Sequence, residues 1–178
     1  MAHRGLTGIL LVGGASTRFG SPKALARIDG ETLADRAWRL LGEVCDERFA
    51  VGKLADGLEL PFALVDDGTE VRAPLAGLVA GLRVAAHDVA VVVPVDMPSL
   101  SAAALHALAD ACRDAAVPPS GPLPGAYRRS ALPALERALA AGELRLRDVV
   151  ARLDTATVSL PERLLANVND QHDLQRLE

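Results

Sequence analysis

The sequence predicts a doubly wound α/β domain, a mainly parallel sheet covered by helices on both faces, and three observations carry that expectation. Two continuous apolar runs, residues 8–12 and 89–95, are rich in branched side chains and end at turn signals, as central strands buried on both sides do. Helical stretches alternate with strand candidates along the chain. Both apolar runs are followed by charged turns, at the carboxyl ends of strands where open α/β sheets bind ligands.

The remaining elements follow in order. Residues 48–51 and 62–65 read as shorter strands, and residues 33–44, 75–86, 102–113, 131–140 and 145–153 as helices. Leu33, Ala37, Leu40, Leu41 and Val44 recur at i, i+4, i+7 and i+8 spacing and form an apolar stripe one helix face wide. Ser101 is placed to cap the helix after the strand at 89–95. From 117 to 129 the pattern breaks into Pro118-Pro119-Ser120-Gly121-Pro122, read as a loop or tight hairpin, and then a strand at 123–127 that can run antiparallel to the rest. No repeat, linker or low-complexity tract divides the chain, so one domain over 1–178 is expected.

Half of the 178 residues are apolar but only 3% are aromatic, so the core is built from Ala, Val and Leu. The net charge of −4 is spread over interspersed acids and bases, which argues against a nucleic-acid surface and for a small-molecule partner. Cys45 and Cys112 lack metal-ligand spacing and read as small buried hydrophobes in a reducing compartment. The first residues lack signal-peptide anatomy, and the run at 89–95 is too short to span a bilayer, so a soluble cytoplasmic chain is expected. His3, His87, His106 and His172 are scattered and read as solvent-facing; no Ser/His/Asp or Cys/His arrangement is evident.

Chemistry concentrates in four places. In the first, Leu11-Val12-Gly13-Gly14 leads through Ser16, Arg18 and Gly20 to Lys23. Glycines let backbone N–H groups approach an anion, and Arg18 and Lys23 add fixed positive charge, a combination suited to a polyphosphate. The spacing matches neither G-x-G-x-x-G nor G-x-x-x-x-G-K-[ST]. In the second, Asp96 emerges at the end of a buried strand within Val95-Asp96-Met97-Pro98, where one carboxylate with phosphate oxygens and water can hold Mg²⁺. The third, Val65-Asp66-Asp67-Gly68, places a carboxylate that can accept from guanine N1–H and the 2-amino group, although acids before a glycine also make plain turns. The glycine of the nearby Pro74-Leu75-Ala76-Gly77 allows close approach of a ligand or of another helix. Asn167-Val168-Asn169 is the fourth, able to donate and accept toward a polar heterocycle or phosphate, and equally at home as caps and turns.

These residues resemble the nucleotidyltransferases that activate sugars and cofactors, and most closely the molybdenum cofactor guanylyltransferase (MobA-like) family. The family signature L-A-G-G-x-S-x-R-M-G-x-x-K is matched from Leu11 to Lys23, its P-L-A-G by Pro74 to Gly77, its C-D-x-P by Val95 to Pro98, and its N-V-N by Asn167 to Asn169. The resemblance implies a three-layer α/β/α Rossmann-like nucleotidyltransferase domain with a mainly parallel central sheet. It also implies Mg²⁺-dependent transfer of GMP from GTP to the phosphate of molybdenum-bearing molybdopterin, with release of pyrophosphate. By position, Leu11, Gly13, Gly14 and Lys23 would contact GTP, Asp67 would meet guanine and Asp96 would hold the metal. Arg18, Lys23 and Asp96 would carry the chemistry, and Asn167 and Asn169 would face the pterin. Transient contacts with other molybdenum cofactor biosynthesis proteins follow from the same resemblance.

Departures from the family pattern are Pro22 before the lysine, Gly52 where an Asn is frequent, Ala73 before Pro74, and a short segment at 120–122 without a histidine. Three further readings stand beside the first. One is the same chemistry with CTP, or with GTP and a small phosphorylated acid such as phospholactate. Another is a silent nucleotide-binding module, against which the presence of Arg18, Lys23 and Asp96 argues. The last is a dinucleotide-dependent redox protein, disfavoured by the glycine spacing.

Overall fold

A computed structural model of the chain describes residues 5–13 and 22–176. The first strand, β1 (Leu6–Leu11), leads to a 3-10 turn at Lys23–Leu25, the two-residue strands β2 (Arg27–Ile28) and β3 (Glu31–Thr32), and helix α1 (Leu33–Val44). Strands β4 (Glu47–Gly52) and β5 (Leu64–Asp66), helix α2 (Pro74–Val84), strand β6 (Val89–Pro94) and helix α3 (Ala102–Ala111) follow. The last part holds β7 (Ala115–Val117), β8 (Gly125–Arg128), α4 (Leu132–Ala140), α5 (Leu146–Val150), β9 (Thr155–Thr157) and α6 (Gln171–Gln175).

Seven strands form one sheet in the order β5-β4-β1-β6-β8-β7-β9. β1 pairs in parallel with β4 and β6, and β4 with β5. Only β8 is reversed, antiparallel to both β6 and β7, while β7 and β9 are parallel. The mainly parallel sheet and the antiparallel strand after the proline-rich loop both match the sequence expectation.

Alternation along the central strands divides the core into two layers. Leu10, Val91 and Val93 face α1 and α3, packing with Leu33, Ala37, Leu41, Leu105 and Leu108. Ile9, Leu11, Ala90 and Val92 face α2, α4 and α5, packing with Leu75, Leu78, Leu82, Leu135 and Val149. The result is an α/β/α sandwich, in which strands buried on both faces are apolar nearly throughout, the hydroxyl of buried Thr7 in β1 being hydrogen-bonded.

Helix α1 spans the residues that its stripe predicts, started by Thr32, whose hydroxyl accepts from the Asp35 N–H at 3.0 Å. The Ser101 hydroxyl caps α3 as expected, accepting from the Ala104 N–H at 3.3 Å. Helix α2 lies close against β1 because it carries Gly81 on its inner face. A Cβ there would sit 2.7 Å from Ile9 Cδ1 and 2.9 Å from its Cγ2, inside a fully buried layer. The branched Ile9 cannot swing away, so overpacking outweighs the helix propensity that alanine gains. Gly81→Ala is expected to destabilise the protein by about 1–2 kcal/mol, measured as a lowered urea midpoint with unchanged slope.

Several expectations are corrected. Strands β7 and β9 and the β2–β3 hairpin were not anticipated; Asp29 (φ 50°) and Gly30 (φ 82°) make its tight turn. The strand expected at 62–65 lies at Leu64–Asp66, and that expected at 123–127 at Gly125–Arg128. The helix expected at 145–153 contracts to Leu146–Val150. His87 is not a solvent-facing helix residue. It lies half-buried between α2 and β6, with Nδ1 3.1 Å from the hydroxyl of fully buried Thr7, which in turn donates to Glu47 at 2.7 Å. Cys112 is buried and Cys45 half-buried; burial pushes their thiols up to about 11 and about 12, so both behave as apolar packing groups.

Three carboxylates at the surface contribute to the acid sensitivity of this fold. Asp66 accepts from the N–H groups of Leu54 (2.8 Å) and Gly68 (2.7 Å), which hold its carboxyl below the usual range. The Arg72 guanidinium does the same for Asp56, and that of Arg39 for Glu31. Each group takes up its proton less readily folded than unfolded, where the ordinary values are 3.8 and 4.5. Their stabilisation is therefore complete above about pH 5 and is lost as the pH falls through the lowered folded values. Denaturant midpoints measured from pH 7 to pH 3 are expected to stay level to about pH 5 and then fall.

Candidate active site

The carboxyl ends of the central strands are held side by side by bonds that continue the sheet beyond its strands. The Val95 N–H donates to Leu11 O at 3.1 Å, the Val12 N–H to Val51 O at 3.0 Å, and the Asp67 N–H to Gly52 O at 2.9 Å. Above them opens a cleft of about 590 Å³, lined by Leu11, Gly13, Lys23, Asp67, Asp96 and Asn167 together with residues of the 120–123 loop and of α2 and α5. Its size suits a small-molecule ligand.

Lys23 and Asp96 come from segments 73 residues apart and meet here, Nζ to Oδ2 at 3.2 Å, each side chain about one-fifth to one-quarter exposed. Lys23 opens its 3-10 turn behind Pro22, and Ala24, buried to 1% exposure, anchors the turn against the core. Asp96 lies two residues beyond the end of β6. Its backbone carbonyl accepts from the Val168 N–H at 2.8 Å, and Val168 is fully buried. That anchor explains the Asn-Val-Asn pattern: the valine is a peg into the core and brings Asn167 onto the cleft wall. Asn169 is exposed, is not among the cleft-lining residues, and donates its N–H to Asp173 at 2.8 Å.

Asp67 lies on the wall beyond β5, and its carboxylate already has a partner. Lys53, just past β4, donates to Asp67 Oδ1 at 2.9 Å and Oδ2 at 3.0 Å, and also to the Thr69 carbonyl. The two side chains are only 10% and 8% exposed. Sequence reasoning missed Lys53, because only the folded chain brings it to a carboxylate 14 residues away. Arg72, also lining the cleft, was missed too; it grips Asp56 through two bonds of 3.0 and 2.6 Å.

The glycines answer differently to packing. Among the described residues a Cβ on Gly13 would meet Gly52 Cα at 3.7 Å, an ordinary contact. A Cβ on Gly77 would lie 2.9 Å from Leu11 Cδ2, so the glycine of Pro74–Gly77 serves the contact of α2 with β1. At Gly52 a Cβ would come within 3.0 Å of Val12 Cγ2. Val12 stands where the family signature has alanine, and this valine and the glycine at 52 share one space. Gly14, Ser16, Arg18 and Gly20 lie outside the described residues. Among the described residues no three His, Cys, Asp or Glu side chains gather as a metal cluster, so a divalent ion at Asp96 would take its other ligands from phosphate and water.

The MobA-like NTP transferase domain model matches residues 8–157, five-sixths of the chain. This chain belongs to the MobA-like NTP transferase family. As a MobA-like nucleotidyltransferase it is similar to the molybdenum cofactor guanylyltransferase of Burkholderia ambifaria, 35% identical over 195 aligned residues covering 97% of this chain and 95% of the relative. The enzyme of that name from Desulfosudis oleivorans is 32% identical, with 97% and 94% covered. Among solved structures, the MobA-like fold superimposes on molybdopterin-guanine dinucleotide biosynthesis protein A from Archaeoglobus fulgidus with a TM-score of 0.82 at 24% identity, covering 97% and 96% of the two chains. No helix among the described residues is long and apolar enough to cross a membrane.

Proposed function

We propose that this MobA-like nucleotidyltransferase, as one domain spanning the chain, is a guanylyltransferase of molybdenum cofactor synthesis that transfers GMP from GTP to the phosphate of molybdenum-bearing molybdopterin. The observation that carries the reading is the Lys23–Asp96 pair at the carboxyl edges of β1 and β6, in a chain aligned nearly end to end with curated guanylyltransferases. A phosphate oxygen of the acceptor attacks the α-phosphorus of GTP; one P–O–P linkage forms, the α–β linkage breaks, and pyrophosphate carries away the electron pair. The attacking phosphate is an anion at neutral pH, so the reaction needs alignment and charge stabilisation rather than a general base.

Each candidate residue has a part in that account. Asp96 supplies the carboxylate for Mg²⁺, a donor set that suits an ion completed by phosphate oxygens and water. When bound, the ion would neutralise phosphate charge. Lys23, now against Asp96, turns toward the β- and γ-phosphates and follows the charge that grows on the leaving group. Leu11, Gly13 and Gly14 are assigned to the nucleotide, and Leu11 and Gly13 line the cleft. Arg18 belongs to the same loop, Asp67 to the base, and Asn167 with Asn169 to the pterin side. Soluble, cytoplasmic placement and transient hand-over from other proteins of the same synthesis complete the proposal.

The test is pyrophosphate release from each of the four nucleoside triphosphates with Mg²⁺, with and without molybdenum-loaded molybdopterin. Release from GTP only when the pterin is present is the expected result; release that ignores the pterin, or that prefers another base, contradicts it.

A further inference from the structure

Asp67 has its acceptor capacity largely spent inside the protein. A carboxylate offers about four lone-pair positions, two on each oxygen. Oδ1 accepts from Lys53 at 2.9 Å and from the Thr69 N–H at 3.2 Å, while Oδ2 accepts from Lys53 alone at 3.0 Å. One position on Oδ2 is left among the described residues. The arrangement is fixed, since both charged side chains are about nine-tenths buried and Lys53 is held from a third direction by the Thr69 carbonyl.

Guanine presents its N1–H and 2-amino group side by side, and a free carboxylate takes both, one on each oxygen. We infer that in this protein Asp67 reads the purine N1–H alone, with Lys53 as the positioning residue that withholds the second acceptor. The inference rests on the guanylyl reading and widens its base from guanine to 6-oxopurines that carry an N1–H. Inosine triphosphate, which keeps the N1–H and lacks the 2-amino group, is then recognised as well as GTP. Cytosine has no ring N–H to offer, because its N3 is an acceptor and only its exocyclic 4-amino group can donate, so CTP is expected to bind more weakly than GTP or ITP.

Lys53 fits this role better than that of a direct base donor. Its three N–H groups are matched by three acceptors, Asp67 Oδ1, Asp67 Oδ2 and Thr69 O, so no donor remains for the purine 6-oxo group without breaking a bond already made.

The experiment is equilibrium binding of GTP, ITP and CTP, with Mg²⁺, to the full-length wild-type protein and to Asp67→Asn and Lys53→Met. Wild type is expected to bind ITP within threefold of GTP. Asp67→Asn is expected to weaken GTP and ITP by a common factor, leaving their ratio unchanged, since the deleted interaction touches only what the two bases share. Lys53→Met, which releases both oxygens, is expected to gain a preference for GTP over ITP, a shift in ratio that mere loosening of the fold does not produce. A wild-type preference for GTP of tenfold or more that collapses toward unity in Asp67→Asn overturns the inference while the guanylyl reading stands. Tighter binding of CTP than of GTP by the wild type overturns the base reading as well, and the two failures are told apart in one titration set. The wild-type and Asp67→Asn arms decide the matter even where Lys53→Met, with its buried carboxylate unpaired, fails to fold.

Discussion

Replacement of Asp96 by alanine is expected to lower kcat by about 10³-fold or more with little loss of folded protein. The carboxylate sits beyond the last paired residue of β6, one-quarter exposed, and its hydrogen bond is to Lys23 alone among the described residues. The contact that matters to the fold is the Asp96 backbone carbonyl, which receives the buried Val168 N–H and which alanine retains. Thermal midpoints of the variant should therefore stay within a few degrees of the wild type, while turnover collapses. Nucleotide titrations separate the cause. Without divalent metal the variant should bind GTP no more weakly than the wild type, because a negative charge has left a site that meets a triphosphate. Added Mg²⁺ should then strengthen binding in the wild type and not in the variant. Near-normal turnover of Asp96→Ala at saturating Mg²⁺ would remove the metal assignment.

Lys23→Ala is expected to cost about 10²–10³-fold in kcat while the KM for nucleotide changes by less than tenfold. The ammonium faces Asp96 at 3.2 Å from the edge of the cleft, so it is placed to follow charge as the leaving pyrophosphate develops it. An interaction that strengthens toward the transition state is lost mainly from kcat. Lys23→Arg keeps the charge but changes its shape and reach, and should recover only part of the rate. A steady-state series at varied GTP checks this; a large rise in KM with unchanged kcat would make Lys23 a simple anchor for ground-state phosphate.

Much of this was legible because it lies in local pattern. The stripe of α1 predicts its span, and the runs that become β1 and β6 are apolar throughout because helices cover both their faces. β7 and β9 were not legible: Ala115–Val117 and Thr155–Thr157 are three residues each, too short for periodicity to separate strand from loop. Their pairing is set by the reversed β8 between β6 and β7. The Asp29-Gly30 turn did carry a hairpin signature, but the flanking strands of two residues give no alternation to support it.

At the site, Lys23, Asp67, Asp96 and Asn167 were all singled out from sequence, and the fold gathers them around one cleft. What spacing does not reveal is which charges neutralise each other before a ligand arrives. Lys53 reads in sequence as a solvated cation after a strand, and its near-burial against Asp67 exists only once β4 and β5 are paired. Likewise Val12 and Gly52 look unrelated until adjacent strands show them sharing one space.

The central claim is transfer of a guanylyl group, and the direct measurement follows the α-phosphorus. The protein is incubated with GTP labelled at the α-phosphate, Mg²⁺ and molybdenum-loaded molybdopterin, and the pterin product is isolated. The account predicts label in the pterin dinucleotide with one pyrophosphate released for each label transferred. Label that stays in GTP, or leaves as free GMP with the pterin unlabelled, would contradict it.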